Sequence, residues 1–302
     1  MAYTSEGRAT GTLSNMRGVL GNFRDFLERE GLPFEVREIE PAHIRAWLLS
    51  LKQRGLAVST QEKFYRGLHR FFQWLIEEGA IEASPMQHVK RPPLPRPIVP
   101  ILSHEHIDRL LGLCPVNTFL GARNRAIILM FYGTGMRLAE LSNLRMGNLD
   151  LTNHEVLVWR KNNKQQRLYL SPVVCRALIS YLKFDRPETD YLWLSEERRP
   201  LTREGVKIAI ERLKERAGIT DIRCSAHTLR HTFATDFLRS GGSLRYLQEI
   251  LGHSSMRTTE RYLTTINQED GMRAHRIHDP LLRLKEKSSA ERWRTFGRQA
   301  ST

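Results

Sequence analysis

Apolar residues recur at helical spacing through the first 90 residues. Met16, Val19, Leu20, Phe23, Phe26 and Leu27 form one stripe, which Gly31 closes. Pro41 suits a first helical turn, and Ile44, Trp47, Leu48 and Leu51 mark a second stripe before Gly55. A third runs through Phe64, Leu68, Phe71, Phe72, Leu75 and Ile76 to Gly79. Ser59, with Glu62 three positions on, has the spacing of a capping box at its start. The aromatic residues follow the buried faces of these stripes, so they read as packing between helices rather than as a stacking surface for bases. Beyond residue 100 the pattern is mixed. Spacing predicts helices over 103–113, 118–133, 137–145, 171–184, 202–217, 227–240, 243–251 and 256–264. Residues 155–159 and 167–170 read as two strands around a basic turn, and 191–194 as a short apolar strand. The expected fold class is α+β, mostly helical, with a small antiparallel sheet among helices.

Residues 91–100 hold five of the thirteen prolines, a run that cannot continue a helix and reads as an extended connector. A chain of 302 residues exceeds what one core usually holds. The expected organisation is a helical domain over 1–90, a Pro-rich linker over 91–100 and a larger domain over 101–302. The last stretch, about 266–302 with Leu281, Leu282 and Leu284, reads as a terminal helix and a frayed tail.

Charge narrows the function. Lys and Arg number 47 against 33 Asp and Glu, a net of +14. That balance argues against an acid-rich enzyme and for a polyanionic partner, nucleic acid or an anionic membrane surface. The excess is uneven: residues 1–90 carry +1 and residues 91–302 carry +13. No apolar stretch approaches a membrane span, and the first residues lack the apolar core of a secretory signal. Cys114, Cys175 and Cys224 are too widely spaced for a zinc ribbon or a disulfide framework. A cytoplasmic protein is expected.

Four stretches hold candidate chemistry. In Gly133-Thr-Gly-Met-Arg137-Leu-Ala-Glu140, two glycines permit a tight turn that sets Arg137 at a helix start, with Glu140 one turn on to hold it. Arg160-Lys161-Asn-Asn-Lys164 is a turn able to place an ammonium against a groove. In His227-Thr-Leu-Arg230-His231, His227 and Arg230 share a helix face, an unfavourable pairing unless an anion lies between them. His231 points elsewhere. In Leu251-Gly252-His253 through Arg261-Tyr262, Gly252 ends a helix, His253 lies in the connection and Tyr262 falls on the next helix. A phenol with a pKa near 10 needs cations around any phosphate it attacks. Taken singly, an ion pair, a solvated turn or a packed tyrosine explains each stretch. Nucleotide-binding, HExxH and GxSxG motifs are absent, and acidic residues form no pairs for two-metal chemistry.

In this order and spacing the four stretches resemble the tyrosine recombinase family, the phage integrase and Xer-type enzymes. TGMRLAEL is similar to the family's first arginine motif and HTLRH to its HxxR motif. LGHSSMRTTERY is similar to its LGH-to-tyrosine motif, with Tyr262 nine positions after His253. The resemblance spans essentially the whole chain: a SAM-like core-binding domain, then a catalytic domain from about residue 101. It implies that Arg137 and Arg230 clamp the scissile phosphate. Tyr262 would attack it, leaving a 3′-phosphotyrosyl link and a free 5′-hydroxyl. Lys161 would be the general acid. His227 would assist proton transfer, His253 would hydrogen-bond the phosphate, and Glu140 would support the site. Xer-type sequences usually flank that lysine with glycines where this chain has Arg160 and Asn162, so Lys164 stands as the alternative acid. No cofactor and no metal are implied. The implied partner is double-stranded DNA with an inverted-repeat core site, bound by a homo- or hetero-tetramer joined through C-terminal segments. Length leaves no room for a further arm-site domain. The alternatives are type IB topoisomerase-like strand relaxation and a DNA-binding or architectural protein without catalysis.

Overall fold

The computed structural model describes residues 10–93, 100–160, 163–266 and 268–277, and the chain divides into two units, Met1–Pro97 and Ile98–Thr302. In the first unit the three stripes become helices α1 (Thr10–Arg29), α2 (Pro41–Gln53) and α3 (Val58–Glu77). Their apolar faces meet in one core around Val19, Phe23, Trp47, Leu68 and Phe72. The Trp47 indole is fully buried and donates to Asn22 Oδ1 at 3.0 Å. α1 and α3 touch at Gly67, where a Cβ would lie 2.7 Å from Val19 Cγ2.

The third helix does not start as its sequence suggests. Its N-cap is Ala57, without a side-chain cap, and Ser59 already lies in the first turn. Glu62 is engaged elsewhere: its buried carboxylate accepts from Arg66 at 2.8 Å and from Arg91. Two guanidinium groups offer a buried carboxylate more than one backbone amide does. Lys63, Arg66, His69 and Arg70 line, with Arg91, one cavity of about 600 Å³. A nearly neutral unit thus presents a basic face.

The second unit begins with α4 (His104–Gly112), α5 (Phe119–Thr134) and the short α6 (Leu138–Ser142). Strands β1 (Leu149–Asp150), β2 (Glu155–Trp159) and β3 (Gln165–Tyr169) form an antiparallel sheet in that order. Helices α7 (Pro172–Leu182), α8 (Arg203–Arg216), α9 (Ala226–Arg239), α10 (Leu244–Leu251) and α11 (Met256–Glu260) follow. A 3-10 turn, Arg261–Thr265, leads into α12 (Gln268–Ile277). Ser103, Thr118, Ser171, Thr202, Ser225 and Ser243 each cap a helix by accepting from a first-turn amide. Buried from Ala126 to Phe131, α5 is the central helix and packs against both α7 and α9. The fold is mostly helical α+β with one small antiparallel sheet.

Several elements depart from the sequence pattern. The helix expected over 256–264 ends at Glu260 and continues as the 3-10 turn that holds Tyr262. The helix expected over 137–145 stops at Ser142, because Arg145 is drawn into a bridge with Tyr191 and stacks its guanidinium 3.4 Å over that ring. Residues 191–194 are no strand of the sheet; they form isolated bridges, Arg145 with Tyr191 and Leu194 with Pro200. Leu192, Trp193 and Leu194 are all buried, so the run has no solvent face to pair along. β3 starts two residues early, at Gln165 opposite Trp159. Residues 94–99 of the Pro-rich run and 278–302 of the tail lie outside the described residues. Among the described residues no helix is long and apolar enough to cross a membrane.

Candidate active site

Local structure sets each side chain. α5 ends at Gly135 in the left-handed region, φ +62°, where a Cβ would lie 2.3 Å from the Phe233 ring. Only glycine fits there. Its carbonyl accepts from Arg230 Nη1 at 2.6 Å. Arg137 is the residue before α6. Its backbone N–H donates to Glu140 Oε2 at 2.8 Å and its Nη1 to Glu140 Oε1 at 2.8 Å. Capped by Ser225, α9 brings His227 and Arg230 to one cavity, with Arg230 only 3% exposed.

The C-terminal end of α10 ties these groups together. Glu249 O accepts from Gln166 Nε2 at 2.8 Å and Ile250 O from Arg160 Nη2 at 2.6 Å. Leu251 O accepts from Arg230 Nη2 at 2.9 Å and Gly252 O from Arg137 Nη2 at 3.2 Å. The end carbonyls of a helix lack partners within it and carry the negative end of its dipole. Here successive carbonyls receive three guanidinium groups. That is how three cations stay close although only two of them, Arg137 and Arg160, bond the one carboxylate, Glu140, which accepts from Arg160 Nη1 at 2.5 Å.

The electrostatics follow from that crowding. Burial, then Arg137, draws Arg230 down to about 10, so it remains a cation at neutral pH. Its hydrogen bonds go to two carbonyls and to His253 Nε2 at 2.9 Å. Burial, then Arg230 and Arg137, pushes His253 down to about 4. Arginine only donates, so His253 Nε2 is the acceptor and Nδ1–H donates to Thr259 Oγ1 at 2.9 Å. His227 is lowered by burial and by Arg261, Arg230 and Arg223, leaving an imidazole free to take a proton. Burial raises the Glu140 pKa, but the Arg137 amide and the Arg160 and Arg137 guanidinium groups outweigh it and keep the carboxylate ionised.

Tyr262 lies in the 3-10 turn, 2% exposed. Its ring is parallel to His253 with centroids 6.3 Å apart, and 5.3 Å from His231. Arg137, His227, Arg230, His253 and Tyr262 of one chain line a single cavity of about 540 Å³, with Lys207, Arg223 and Arg261 on its walls.

The sequence reading missed several of these groups. His231 does not point elsewhere: it is buried, 4.1 Å from the His227 ring, and packs on the tyrosine. Arg160 was legible by strand parity. Val156 and Val158 face the core, and Arg160 continues that side with 7% of its side chain exposed. Lys207, Arg223 and Arg261 come from separate segments with no spacing to link them. Lys161 lies outside the described residues. Lys164 is exposed in the hairpin turn, its carbonyl accepting from the Arg160 amide at 2.7 Å, and it does not line the cavity.

A model of the phage integrase family matches residues 100–269, and one of the phage integrase N-terminal SAM-like domain matches residues 3–79. The tyrosine recombinase XerC of Bacillus pumilus is 32% identical over 279 residues, 89% of this chain and 90% of that protein. The tyrosine recombinase XerD of Shewanella oneidensis is 30% identical over 284 residues, 92% of this chain and 93% of that protein. A crystal structure of the XerH site-specific recombinase on palindromic difH substrate shares the fold. Its TM-score is 0.69 at 22% identity, over 87% of this chain and 78% of that one.

Proposed function

The chain belongs to the phage integrase family of tyrosine recombinases, and from that premise we propose that Tyr262 is the nucleophile with which it cuts DNA. It is a site-specific recombinase, an enzyme that breaks and rejoins DNA strands. A backbone phosphate enters the cavity, and Arg137 and Arg230 pair with its non-bridging oxygens. The Tyr262 oxygen attacks phosphorus in line. A phosphorus–phenol bond forms as the bond to the 5′-oxygen breaks, and the phenolic proton passes to neutral His227. A lysine of the hairpin turn, Lys161 with Lys164 as the alternative, protonates the departing 5′-oxygen. The product is a 3′-phosphotyrosyl link and a free 5′-hydroxyl. The ester keeps the bond energy, so a 5′-hydroxyl from a second duplex rejoins the strand by the reverse steps.

Charge builds on the phosphoryl oxygens at the five-coordinate stage, where fixed donors help most. Glu140 keeps Arg137 aimed. With its proton on Nε2 and Nδ1 accepting from the Thr259 hydroxyl, His253 gives up its bond with Arg230 and donates to the phosphate. The partner is double-stranded DNA with inverted repeats, held by a tetramer linked through C-terminal segments. α12 packs on α9 of its own chain through Arg239, whose Nε lies 3.4 Å from Asp270 Oδ2.

One observation carries this reading: a buried tyrosine shares a cavity with Arg230, a buried cation whose hydrogen-bond partners all lack charge. A buried cation without a charged partner is costly, and a phosphate bound in the cavity would supply the missing anion. A duplex nicked close to the cleavage position traps the covalent product. The wild type is expected to form a protein–DNA adduct and Tyr262→Phe none. No adduct from the wild type, or equal adduct from Tyr262→Phe, would reject the assignment.

A further inference from the structure

We infer that Arg160 is a positioning residue for strand cleavage, fastening the carboxylate that aims Arg137, and the base of the β2–β3 hairpin, to the end of α10. The inference rests on the recombinase reading and extends it to a residue that touches no substrate. Arg160 does not line the cavity; its guanidinium is spent on protein. Nη1 meets Glu140 Oε2 at 2.5 Å, Nε donates to Gln166 Oε1 at 2.9 Å, and Nη2 donates to Ile250 O at 2.6 Å. The three nitrogens thus reach three different elements: α6, β3 and α10.

The planar fork suits this junction because its donors are fixed relative to one another. It also lies close against the turn bearing His253. A Cβ at Gly252 would come within 2.9 Å of Arg160 Nε. Glu140 spends Oε1 on the Arg137 guanidinium, while Oε2 is shared between the Arg137 amide and Arg160. Without Arg160 that oxygen keeps the amide alone, and the carboxylate is free to turn and carry Arg137 with it. Gln166 makes the second tie, from its Nε2 to Glu249 O at 2.8 Å, so the hairpin is held to α10 at two successive carbonyls. Glycine, the residue that Xer-type sequences usually place before the lysine, would supply none of these contacts.

The test uses the full chain and the nicked duplex, and compares the adduct-forming rate at saturating protein with the affinity for intact duplex. Arg160→Gln is expected to slow cleavage about a hundredfold, the scale of a small displacement of a reacting group. Its affinity for DNA should stay within about threefold, because Arg160 does not face the substrate. Arg160→Lys should fall between the two, since one ammonium still meets Glu140 but cannot reach three elements. Cleavage by Arg160→Gln at the wild-type rate, or a loss of binding that matches the loss of cleavage, would overturn the proposal. Should the glutamine variant fail to fold, Arg160→Lys decides by the same two measurements. If the wild type forms no adduct, it is the recombinase reading that fails.

Discussion

His253 in the cavity wall and His231, packed on the Tyr262 ring, are kept uncharged by burial and by the charged groups around them. His253 is drawn to about 4 and His231 to about 3, whereas an unfolded imidazole titrates near 6.5. Between those values the unfolded chain binds protons that the folded chain refuses. Stability should therefore fall as pH drops from about 6.5 towards 4, and be fully present above that window. Melting temperature followed from about pH 7.5 to 5 checks this, and His231→Gln should flatten the slope. A wild-type melting temperature that stays level would show that these rings gain protons freely. At this scale the sequence was informative where residues recur in motifs: Arg137, His227, Arg230, His253 and Tyr262 all reach one cavity. Thr259, which fixes the His253 tautomer, and Lys207 carried no such signal, because their roles arise from tertiary approach alone.

At the scale of elements, turns and caps were the legible part. Gly252 shows as a helix stop in the sequence, and the structure places it at φ +62° at the end of α10. An alanine there must adopt a left-handed backbone and press on Arg160 Nε from 2.9 Å. Gly252→Ala should lose about 1–3 kcal/mol in urea unfolding, with slower cleavage. Unchanged stability would mean that the turn relaxes without strain. Burial hid the rest. β1 has only two residues, too few for an alternating pattern, and residues 192–194 are covered on every side. Ser59 and Glu62 carried a cap signature that lost to Arg66, one turn on, and to Arg91, which no local pattern could announce.

At the scale of the whole molecule, charge and fold class were plain from composition and periodicity. The +13 over residues 91–302 and the basic face of the first unit both carry charge opposite to that of a phosphate backbone. DNA affinity should fall about a thousandfold between about 50 and 200 mM salt, as counterions are released. A flat response in a filter-binding titration would assign the excess charge to solubility alone. The near neutrality of the first 90 residues concealed their basic face, since net charge says nothing about which face bears it. One eight-residue helix, Leu244–Leu251, gives footing to Arg137, Arg160 and Arg230 at its end. Those side chains share one footing, so a tilt of that single rod would shift all three together.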